Sequence, residues 1–333
     1  MNSNWLATAP SNIALIKYMG KSDATVNRPT NTSLSYTLSN LQSIVGLELH
    51  EAQGGDDKWQ PLLKYGEQKL AAFELTENGR GRFLRHLRRL KTIYSFPGSF
   101  TVRSGNNFPS DCGLASSASS FAALTKVALQ ALGEITGKKA LPVHEASELS
   151  RQGSGSSCRS FFAPWSIWNV DGAAELDLGY ADLIHQVIVV DDEKKAISSS
   201  EAHLRVTSSL LFRGRPDRAE QRSQELIKAL REKNWRAAFE ITWAEFWDMH
   251  ALFETSVPSF GYMNEKSLAV LRWVQRNSWE KNGDGPLVTM DAGPNIHLLH
   301  RSGSPFVDEV VAHFSAEAKA DRIHCKVFTG GQS

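Results

Sequence analysis

The chain has 333 residues, of which 41% are hydrophobic and 22% charged, and its formal net charge is +1. This composition is typical of a globular protein with a large core, and it argues against a disordered chain. A net charge this small argues against a broad electrostatic surface for nucleic acid, so we expect no nucleic-acid partner.

The cysteines and the apolar runs restrict the class of protein further. Cys112, Cys158 and Cys325 are an odd number of cysteines, without the spacing of a zinc site or of a disulfide framework. The N-terminus lacks an apolar signal region, and no apolar run approaches the length of a membrane span. We therefore expect a cytoplasmic protein that does not bind a membrane.

Strands dominate the predicted first half of the chain. The predicted strands cover 5–17, 43–49, 99–103 and 183–190. An Ala-rich run with apolar residues at helical spacing predicts a helix over 116–132, and Pro142 is a good first residue for a helix that runs to Arg151. An Arg- and Lys-rich run over 80–91 also has helical spacing. It is typical of a solvated helix face rather than of an anion site.

The second half is predicted to be mostly helical. The predicted helices cover 218–233, 235–253, 264–278 and 305–320. Strands first and helices later favour an α+β protein, with a boundary near 180–190. An aromatic stripe of Phe239, Trp243, Phe246 and Trp247 has the helical spacing of a core-facing surface. We expect His250, on the same helix, to be a hydrogen-bonded structural histidine rather than a metal ligand.

Two short strands, 286–289 and 296–300, flank the turn "MDAGPN" at 290–295. Gly-Pro-Asn is sufficient for a turn, and Asp291 has two interpretations. It either opens the turn by bonding its own backbone, which is the common role of Asp in turns, or it is held there for chemistry.

Two loops of small residues are candidates for binding an anion. In "FPSDCGLASSAS" (108–119) a loop with Gly113 leads into a helix that begins among serines. A helix N-terminus offers unpaired N–H groups to a phosphate, but an ordinary serine-capped helix has the same pattern. In "RQGSGSSCR" (151–159) serines lie beside Arg159, a residue type suited to gripping a carboxylate. Lys17, Tyr18 and Lys21 follow an apolar strand and form a third polar group.

With these motifs in view, the chain resembles the diphosphomevalonate decarboxylases of the GHMP kinase superfamily. The resemblance is carried, in the order of the family, by "APSNIALIKYMGK" (9–21), "NTSLSYTL" (31–38), "NNFPSDCGLASSAS" (106–119), "SRQGSGSSCRS" (150–160), "KKAISSS" (194–200), "MHALFE" (249–254) and "MDAGPN" (290–295). It implies an α+β GHMP kinase fold, with an N-terminal ribosomal-protein-S5-like lobe over 1–185 and a C-terminal ferredoxin-like lobe of helices and sheet over 186–333.

The resemblance also implies an activity, namely ATP- and Mg²⁺-dependent decarboxylation of mevalonate 5-diphosphate in the mevalonate pathway of isoprenoid synthesis, by a homodimer. Asp291 would be the acid/base at the C3 hydroxyl, and Lys17 a positive charge near the transferred phosphoryl group. Arg159 would bind the substrate carboxylate, with Asn12 orienting its guanidinium.

Further residues are implied to bind the two substrates. The implied substrate-binding residues are Tyr18, Met19, Gly20, Lys21, Ser154, Gly155, Ser156, Ser157, Cys158, Arg159 and Ser200. The implied ATP-binding residues are Asn107, Gly113, Leu114, Ala115, Ser116 and Ser117, with Ser117 also close to Mg²⁺. Either Arg80 or Arg82 matches a further arginine that contacts substrate.

The sequence departs from the family pattern at a few positions. Met19 stands where the family commonly has Trp, Asp111-Cys112 replaces Ala-Ala, and Ala202-His203 replaces Gly-Met. Three alternative functions are considered: a relative that acts on mevalonate or phosphomevalonate, a small-molecule kinase that does not decarboxylate, and a non-catalytic binding protein. The presence of Asp291, Lys17 and Arg159 together favours the decarboxylase.

Overall fold

The structure is a computed structural model, and it describes residues 3–51, 53–70, 75–108, 116–191, 195–315 and 325–330. Five residues named above, Asp111, Cys112, Gly113, Leu114 and Ala115, lie outside the described residues. The predictions made for them are therefore not addressed by the fold.

Fourteen strands are assigned in the described part of the chain. In chain order they are β1 (Asn4–Ile16), β2 (Lys21–Asp23), β3 (Arg28–Pro29), β4 (Ser33–Glu51), β5 (Lys58–Pro61), β6 (Lys64–Tyr65), β7 (Gln68–Lys69), β8 (Ser99–Asn106), β9 (Trp165–Asn169), β10 (Gly172–Glu175), β11 (Ile184–Val189), β12 (Leu287–Met290), β13 (Ile296–His300) and β14 (Lys326–Gly330).

Eight α-helices accompany them. In chain order they are α1 (Glu77–Tyr94), α2 (Ser116–Thr136), α3 (Val143–Gly153), α4 (Ser199–Arg205), α5 (Arg215–Arg231), α6 (Trp235–Glu254), α7 (Glu265–Gln275) and α8 (Phe306–Phe314). Short 3-10 helices cover Gly155–Phe161, Val206–Ser208 and Leu210–Phe212, and a π-helical turn, Arg276–Glu280, continues α7.

The first sheet is organised around the long strand β4. Its strand order is β10-β9-β4-β8-β5, and β1 pairs with β4 along nearly its whole length. The first part of β4 pairs with β9 and the second part with β8, all antiparallel, while β5 joins β8 in parallel. Both ends of β1 are thereby fixed, so the residues that follow Ile16 leave the sheet at a defined place.

The second sheet is antiparallel, with the order β12-β13-β11-β14. The strand β11 pairs with both β13 and β14. The predicted division at residue 185/186 therefore cuts a strand whose pairing, from Ile184 onwards, belongs entirely to the second sheet. Buried residues of both sheets and of α5 to α8 also form one continuous apolar cluster, so the two halves share a core.

A second apolar cluster lies between the first sheet and the helices α1 and α2. The run at 80–91 is within α1, which buries Phe83, Leu87 and Leu90 and exposes several of its arginines, as the sequence predicted. The aromatic residues predicted to be core belong to the larger, shared cluster instead: Phe246 is fully buried in it, with Trp243 and Trp247 packed against it.

Two predicted elements differ in extent from the structure. Sequence alternation predicted a strand only over 43–49, but β4 begins at Ser33, because its first part is buried on both faces and does not alternate in polarity. The buried hydroxyls there are paired; Ser33 Oγ, for example, donates to Ile16 O at 2.7 Å. The helix predicted over 305–320 ends at Phe314, whose carbonyl accepts from the N–H of Cys325 at 3.2 Å as the chain enters β14.

Candidate active site

Asp291 lies in the turn that connects β12 to β13, at one end of the second sheet. The two strands and this turn form the predicted hairpin. Several contacts fix the turn. His250 of α6 donates from Nε2 to Asp291 O at 3.2 Å, and Lys195 Nζ donates to Ala292 O. Asn295 Oδ1 accepts from the N–H of Val190 at 2.9 Å. Because the backbone is held on three sides, the direction of the Asp291 side chain is well defined.

Asp291 is paired with Lys17, which immediately follows β1. Lys17 Nζ lies 2.7 Å from Asp291 Oδ1. The lysine side chain is only 2% exposed, whereas that of the aspartate is 29% exposed. One carboxylate oxygen is therefore engaged by the lysine, while the other side of the carboxylate remains open to a ligand.

Burial and the pairing both shift the pKa values of Asp291 and Lys17. Burial by itself would raise the pKa of Asp291, but Lys17, together with His297 and Arg159, lowers that pKa below its usual value. Burial also lowers the pKa of Lys17, against the opposing effect of Asp291. Burial, followed by the charge of Lys17, lowers the pKa of His250 to about 3, so this histidine is neutral and structural, as predicted.

A buried charge network holds the backbone of Lys17. Its N–H donates to Glu245 Oε1 of α6 at 2.9 Å. Glu245 and Arg215 are both fully buried and pair with each other, and Arg215 also bonds Asp248 at 3.1 Å. The network thus connects the end of β1 to two helices of the second half, and it anchors the lysine that faces Asp291.

Arg159 lies in the 3-10 helix that follows α3, and it is oriented from two sides. Its Nε donates to Asn12 Oδ1 at 3.0 Å, and its Nη1 donates to Ser33 Oγ at 2.6 Å. Asn12 in turn donates to Ser160 Oγ at 2.8 Å, which fixes its amide. Among the described residues, Nη2 of Arg159 has no hydrogen-bond partner. The guanidinium therefore retains donor capacity for an anionic ligand.

The ring of Tyr18 links the Arg159 loop to α4. It lies 4.6 Å from the ring of Trp168 and 4.2 Å from the ring of His203. It also covers Gly155, where a Cβ atom would approach the tyrosine ring within 2.7 Å. Only glycine allows this close approach, so the Ser/Gly loop and the Tyr18 segment form one packed surface.

Lys21 and Arg82 bring further positive charge to the same region. Lys21 Nζ donates to Asn27 Oδ1 at 2.7 Å. Burial, and then the charge of Arg82, lowers the pKa of Lys21, so the two cations are neighbours. Arg80 points elsewhere, with its Nε donating to Leu75 O and its guanidinium 5.6 Å from the Trp59 ring. Of the two arginines left open by the sequence, Arg82 is therefore the one near the predicted site.

The N-terminus of α2 meets the Ser/Gly loop. Ser117 is exposed, and its Oγ lies 3.4 Å from Ser154 Oγ, while Ser116 opens the helix. Asn107 uses its side chain to brace neighbouring backbone, since its Nδ2 donates to Asn40 O and its Oδ1 accepts from Gln42 N–H. The ATP contacts predicted for these residues stay predictions.

Met19, Ser157 and Cys158 are predicted to bind substrate, and their side chains are almost completely buried in the protein. Met19 packs in a small apolar cluster with Ala202 of α4. Ser157 donates to Ser154 O at 2.7 Å, and Cys158 Sγ contacts Gly155 O at 3.2 Å. Any contact of these three with a ligand must therefore use backbone atoms. By contrast, Ser156 is partly exposed and Ser200, at the start of α4, is exposed.

Sequence reasoning did not find Glu245, Ser33 or His203 as site residues. Glu245 lies on a helix face that the pattern assigned to core, and Ser33 is on the part of β4 that showed no alternation. His203 could have been found from its departure from the family pattern, since an ionisable residue replaces an apolar one shortly after the motif at 194–200.

Within the described ranges, no group of three or more His, Cys, Asp or Glu side chains could hold a metal ion. Mg²⁺ at nucleotide sites is commonly held by phosphates, water and one or two protein oxygens. The exposed hydroxyl of Ser117 fits that mode of binding, and it does not fit a site formed by protein ligands alone.

No helix of the described residues combines the length and the apolar character that a membrane crossing requires.

Two sheets that share a core, a Ser/Gly loop that meets the N-terminus of α2, and a lysine at the end of β1 that pairs with an aspartate in the β12–β13 turn are together typical of the GHMP kinases. Residues 9–177 match the diphosphomevalonate decarboxylase-like N-terminal domain, and residues 185–329 match the mevalonate 5-diphosphate decarboxylase C-terminal domain. The chain belongs to the diphosphomevalonate decarboxylase family.

Individual relatives agree with this assignment. The diphosphomevalonate decarboxylase of Saccharomyces cerevisiae is 33% identical over 316 residues, which are 88% of this chain and 76% of that protein. The crystal structure of a mevalonate diphosphate decarboxylase from Legionella pneumophila is 45% identical, with a TM-score of 0.87 over 98% of this chain and 100% of the other. A structure of MDDEF in complex with MVAPP, AMPPCP and magnesium is 26% identical, with a TM-score of 0.82 over 99% of both chains.

Proposed function

We propose that this chain catalyses the ATP-dependent decarboxylation of mevalonate 5-diphosphate to isopentenyl diphosphate, with Asp291, Lys17 and Arg159 as its acting residues. Membership of the decarboxylase family supports the reaction. The observation that carries the residue assignment is the 2.7 Å pair between Lys17 Nζ and Asp291 Oδ1, since it provides an ionised carboxylate in the same site as Arg159.

The reaction requires a leaving group at C3 of the substrate. Loss of CO₂ from a saturated 3-hydroxy acid leaves an electron pair with no acceptor, unless the C3–O bond breaks at the same time. ATP with Mg²⁺ supplies the phosphoryl group that converts the C3 hydroxyl to a phosphate. When that phosphate departs with the C–O bonding electrons, the electrons of the bond to the carboxylate form the alkene, and CO₂ is released.

Asp291 is suited to orient the C3 hydroxyl and to accept its proton. Its open side is the side away from Lys17, and its lowered pKa keeps it ionised at neutral pH. Phosphoryl transfer has a loose transition state in most analyses, so positioning matters more than base strength. Lys17 remains beside the reacting oxygen as a positive charge, where it stabilises the negative charge of the transferred group.

Arg159 is suited to bind the substrate carboxylate. Asn12 and Ser33 occupy its Nε and Nη1, and the other terminal nitrogen is left for the ligand. The guanidinium also lies 5.6 Å from the Trp168 ring, which shields it from water. A dry environment of this kind favours decarboxylation, because the carboxylate loses charge as CO₂ forms.

The phosphate end of the substrate would be bound by Tyr18, Lys21, Ser154, Gly155, Ser156 and Ser200, and Arg82 joins this set because of its position beside Lys21. The first turn of α2, with Ser116 and Ser117, would bind the ATP phosphates together with Gly113, Leu114 and Ala115. A homologous structure that contains MVAPP, AMPPCP and magnesium supports this choice of ligands.

The test of the function is a release assay. Purified protein is given ATP, Mg²⁺ and mevalonate that carries none, one or two phosphates, and both ADP and CO₂ are measured. We expect equal amounts of ADP and CO₂ with the diphosphate, and much less with the other two compounds. ADP without CO₂ would identify a kinase instead, and turnover preferring the monophosphate would change the substrate.

The homodimer and the cytoplasmic location expected from the family stay predictions. Size-exclusion chromatography with light scattering measures the mass of the particle, and a mass near 36.9 kDa would contradict a stable dimer.

A further inference from the structure

His203 lies on α4, three residues after the exposed Ser200. The helix is capped by Ser198, whose Oγ accepts from Glu201 N–H at 3.2 Å. The His203 side chain is directed inward, and the residue is only 9% exposed. Neither the reaction steps above nor the family resemblance gives it a role.

One ring nitrogen of His203 holds the backbone of Gly20. The Gly20 N–H donates to His203 Nδ1 at 3.0 Å. Gly20 has a φ of +94°, and a Cβ atom there would lie 2.6 Å from the Phe212 ring. The Gly20 peptide is therefore confined between α4 and the 3-10 helix that contains Phe212, in a conformation that favours glycine. Since Gly20 precedes Lys21 directly, this hydrogen bond fixes the backbone from which the lysine projects.

The other ring nitrogen is left for a ligand. Because Nδ1 accepts from Gly20, the neutral ring carries its hydrogen on Nε2. No described residue accepts a hydrogen bond from Nε2. This nitrogen is not fully buried, so a ligand could reach it. Burial, followed by the charges of Lys21 and Arg159, lowers the pKa of His203 to about 3, so the ring stays neutral at physiological pH.

The ring also packs on Tyr18, with the ring centroids 4.2 Å apart. His203 therefore contacts two residues of the segment predicted to bind the phosphate end of the substrate, and both Lys21 and Arg159 lie close enough for their charges to act on it. An uncharged N–H donor at this place binds an anion without adding another cation to a site that already holds several.

We propose that His203 is a positioning residue for the phosphate end of the substrate, which fixes the Gly20 peptide through Nδ1 and donates from Nε2–H to a phosphate oxygen. The proposal rests on the proposed function for the identity of the substrate. It makes His203 a determinant of how tightly the phosphorylated substrate is bound, and it assigns no part in the chemical step to this residue.

Three substitutions separate the contributions of the ring. His203→Asn places an amide oxygen near the Nδ1 position and lacks the Nε2 donor. His203→Gln places an amide N–H near the Nε2 position and lacks the Nδ1 acceptor. His203→Phe keeps a ring against Tyr18 and lacks both nitrogens. His313→Phe is the matched control, because His313 is also a ring-stacked histidine, 4.1 Å from Trp273, but lies on α8.

The measurement is titration calorimetry of the full chain with mevalonate diphosphate, inorganic pyrophosphate and ATP, together with thermal melting of each variant. Loss of one hydrogen bond to a charged ligand weakens binding about 10-fold. We expect about that loss for His203→Asn with mevalonate diphosphate and with pyrophosphate, because this variant lacks the donor to the ligand. His203→Gln should also bind both more weakly, because it no longer holds the Gly20 peptide. His203→Phe lacks both functions and should show the largest loss. Affinity for ATP should change less than affinity for pyrophosphate, and in steady-state assays the rise in KM should exceed any fall in kcat. His313→Phe should match the wild type.

Several results would overturn the proposal. One is a His203→Phe variant that melts like the wild type and binds pyrophosphate with wild-type affinity. Another is a His203→Asn or His203→Gln variant with equal losses for ATP and pyrophosphate, which would indicate a general structural role; these two milder variants keep the test available if His203→Phe does not fold. If the wild type binds both phosphate ligands and releases no CO₂, the proposed function fails while the binding role of His203 is still tested.

Discussion

Lys17 and Asp291 are 274 positions apart in the chain, and their side chains meet at 2.7 Å. The lysine is buried and the aspartate is partly open, so the pair has an inner cationic side and an outer anionic side. This polarity places a carboxylate toward the substrate hydroxyl, with a positive charge directly behind it.

Asp291→Asn should lower kcat on the order of 10²-fold to 10⁴-fold, because the carboxylate acts on the reacting hydroxyl. KM should change little, because the phosphate end is bound by other residues. Steady-state kinetics with mevalonate diphosphate measures both constants. The control is Asp284→Asn, at an exposed aspartate that pairs with Arg301 on the surface. A normal kcat in Asp291→Asn would reduce Asp291 to a residue of the turn.

Lys17→Met should move the acid limb of the pH profile of kcat/KM to higher pH. Asp291 acts in its ionised form, so the rate falls as pH drops through its pKa. In the wild type that pKa is held below the usual value of an aspartate, so the profile should be flat between pH 5 and 8. Without Lys17, the effect of burial is less opposed, and the pKa of Asp291 rises.

The measurement is kcat/KM from pH 4.5 to 8 for the wild type, Lys17→Met and Lys64→Met, the last at an exposed lysine of β6. Lys64→Met should keep the wild-type profile. If the Lys17→Met profile has the same shape as the wild type, with only a lower amplitude, Lys17 does not control the ionisation of Asp291.

Arg159→Lys should be a poor replacement. An ammonium group has a single nitrogen, so it cannot keep the hydrogen bonds to Asn12 and Ser33 and also donate to a carboxylate in the geometry that the planar guanidinium provides. Formation of ADP and release of CO₂ should both fall about 10²-fold, since a misplaced carboxylate also misplaces the C3 hydroxyl. Arg103→Lys, at a surface arginine paired with Glu48, is the control.

An analogue of the substrate without the carboxylate refines this test. The wild type and Arg159→Lys should bind it about equally, whereas their affinities for the true substrate should differ. If Arg159→Lys loses affinity for both compounds to the same extent, the arginine binds phosphate or shapes its loop instead.

Glu245→Gln should destabilise the fold by about 3–5 kcal/mol, because it leaves the buried Arg215 without its main ionic partner. Urea unfolding measures the change. Activity should fall as well, since Glu245 also accepts from the backbone N–H of Lys17 at 2.9 Å. Glu240→Gln, on the same helix but exposed and paired with Arg236, should cost less than about 1 kcal/mol. A Glu245→Gln variant as stable as Glu240→Gln would contradict the importance of the buried network.

Much of the fold and several candidate site residues could be predicted from the local sequence. Apolar spacing predicted α2 and α6, because the buried face of a helix is repeated every three to four residues. The hairpin around Asp291 was predicted because its strands are short apolar runs that flank a Gly-Pro-Asn turn. The motifs were also specific enough to identify the family, and the comparisons confirmed that membership.

What only the tertiary structure decided is which distant groups meet. The strand β4 lacks alternation because it is buried on both faces, so its first half could not be predicted from polarity. The position of Arg82 beside Lys21, and of Arg80 against Trp59, depends on the direction of α1 relative to the first sheet. The bonds from Glu245 to Lys17 and from Gly20 to His203 join segments more than 180 residues apart. Local patterns encode the periodicity of each element, but the distances between side chains of different elements arise only when the sheets and helices pack around their shared core.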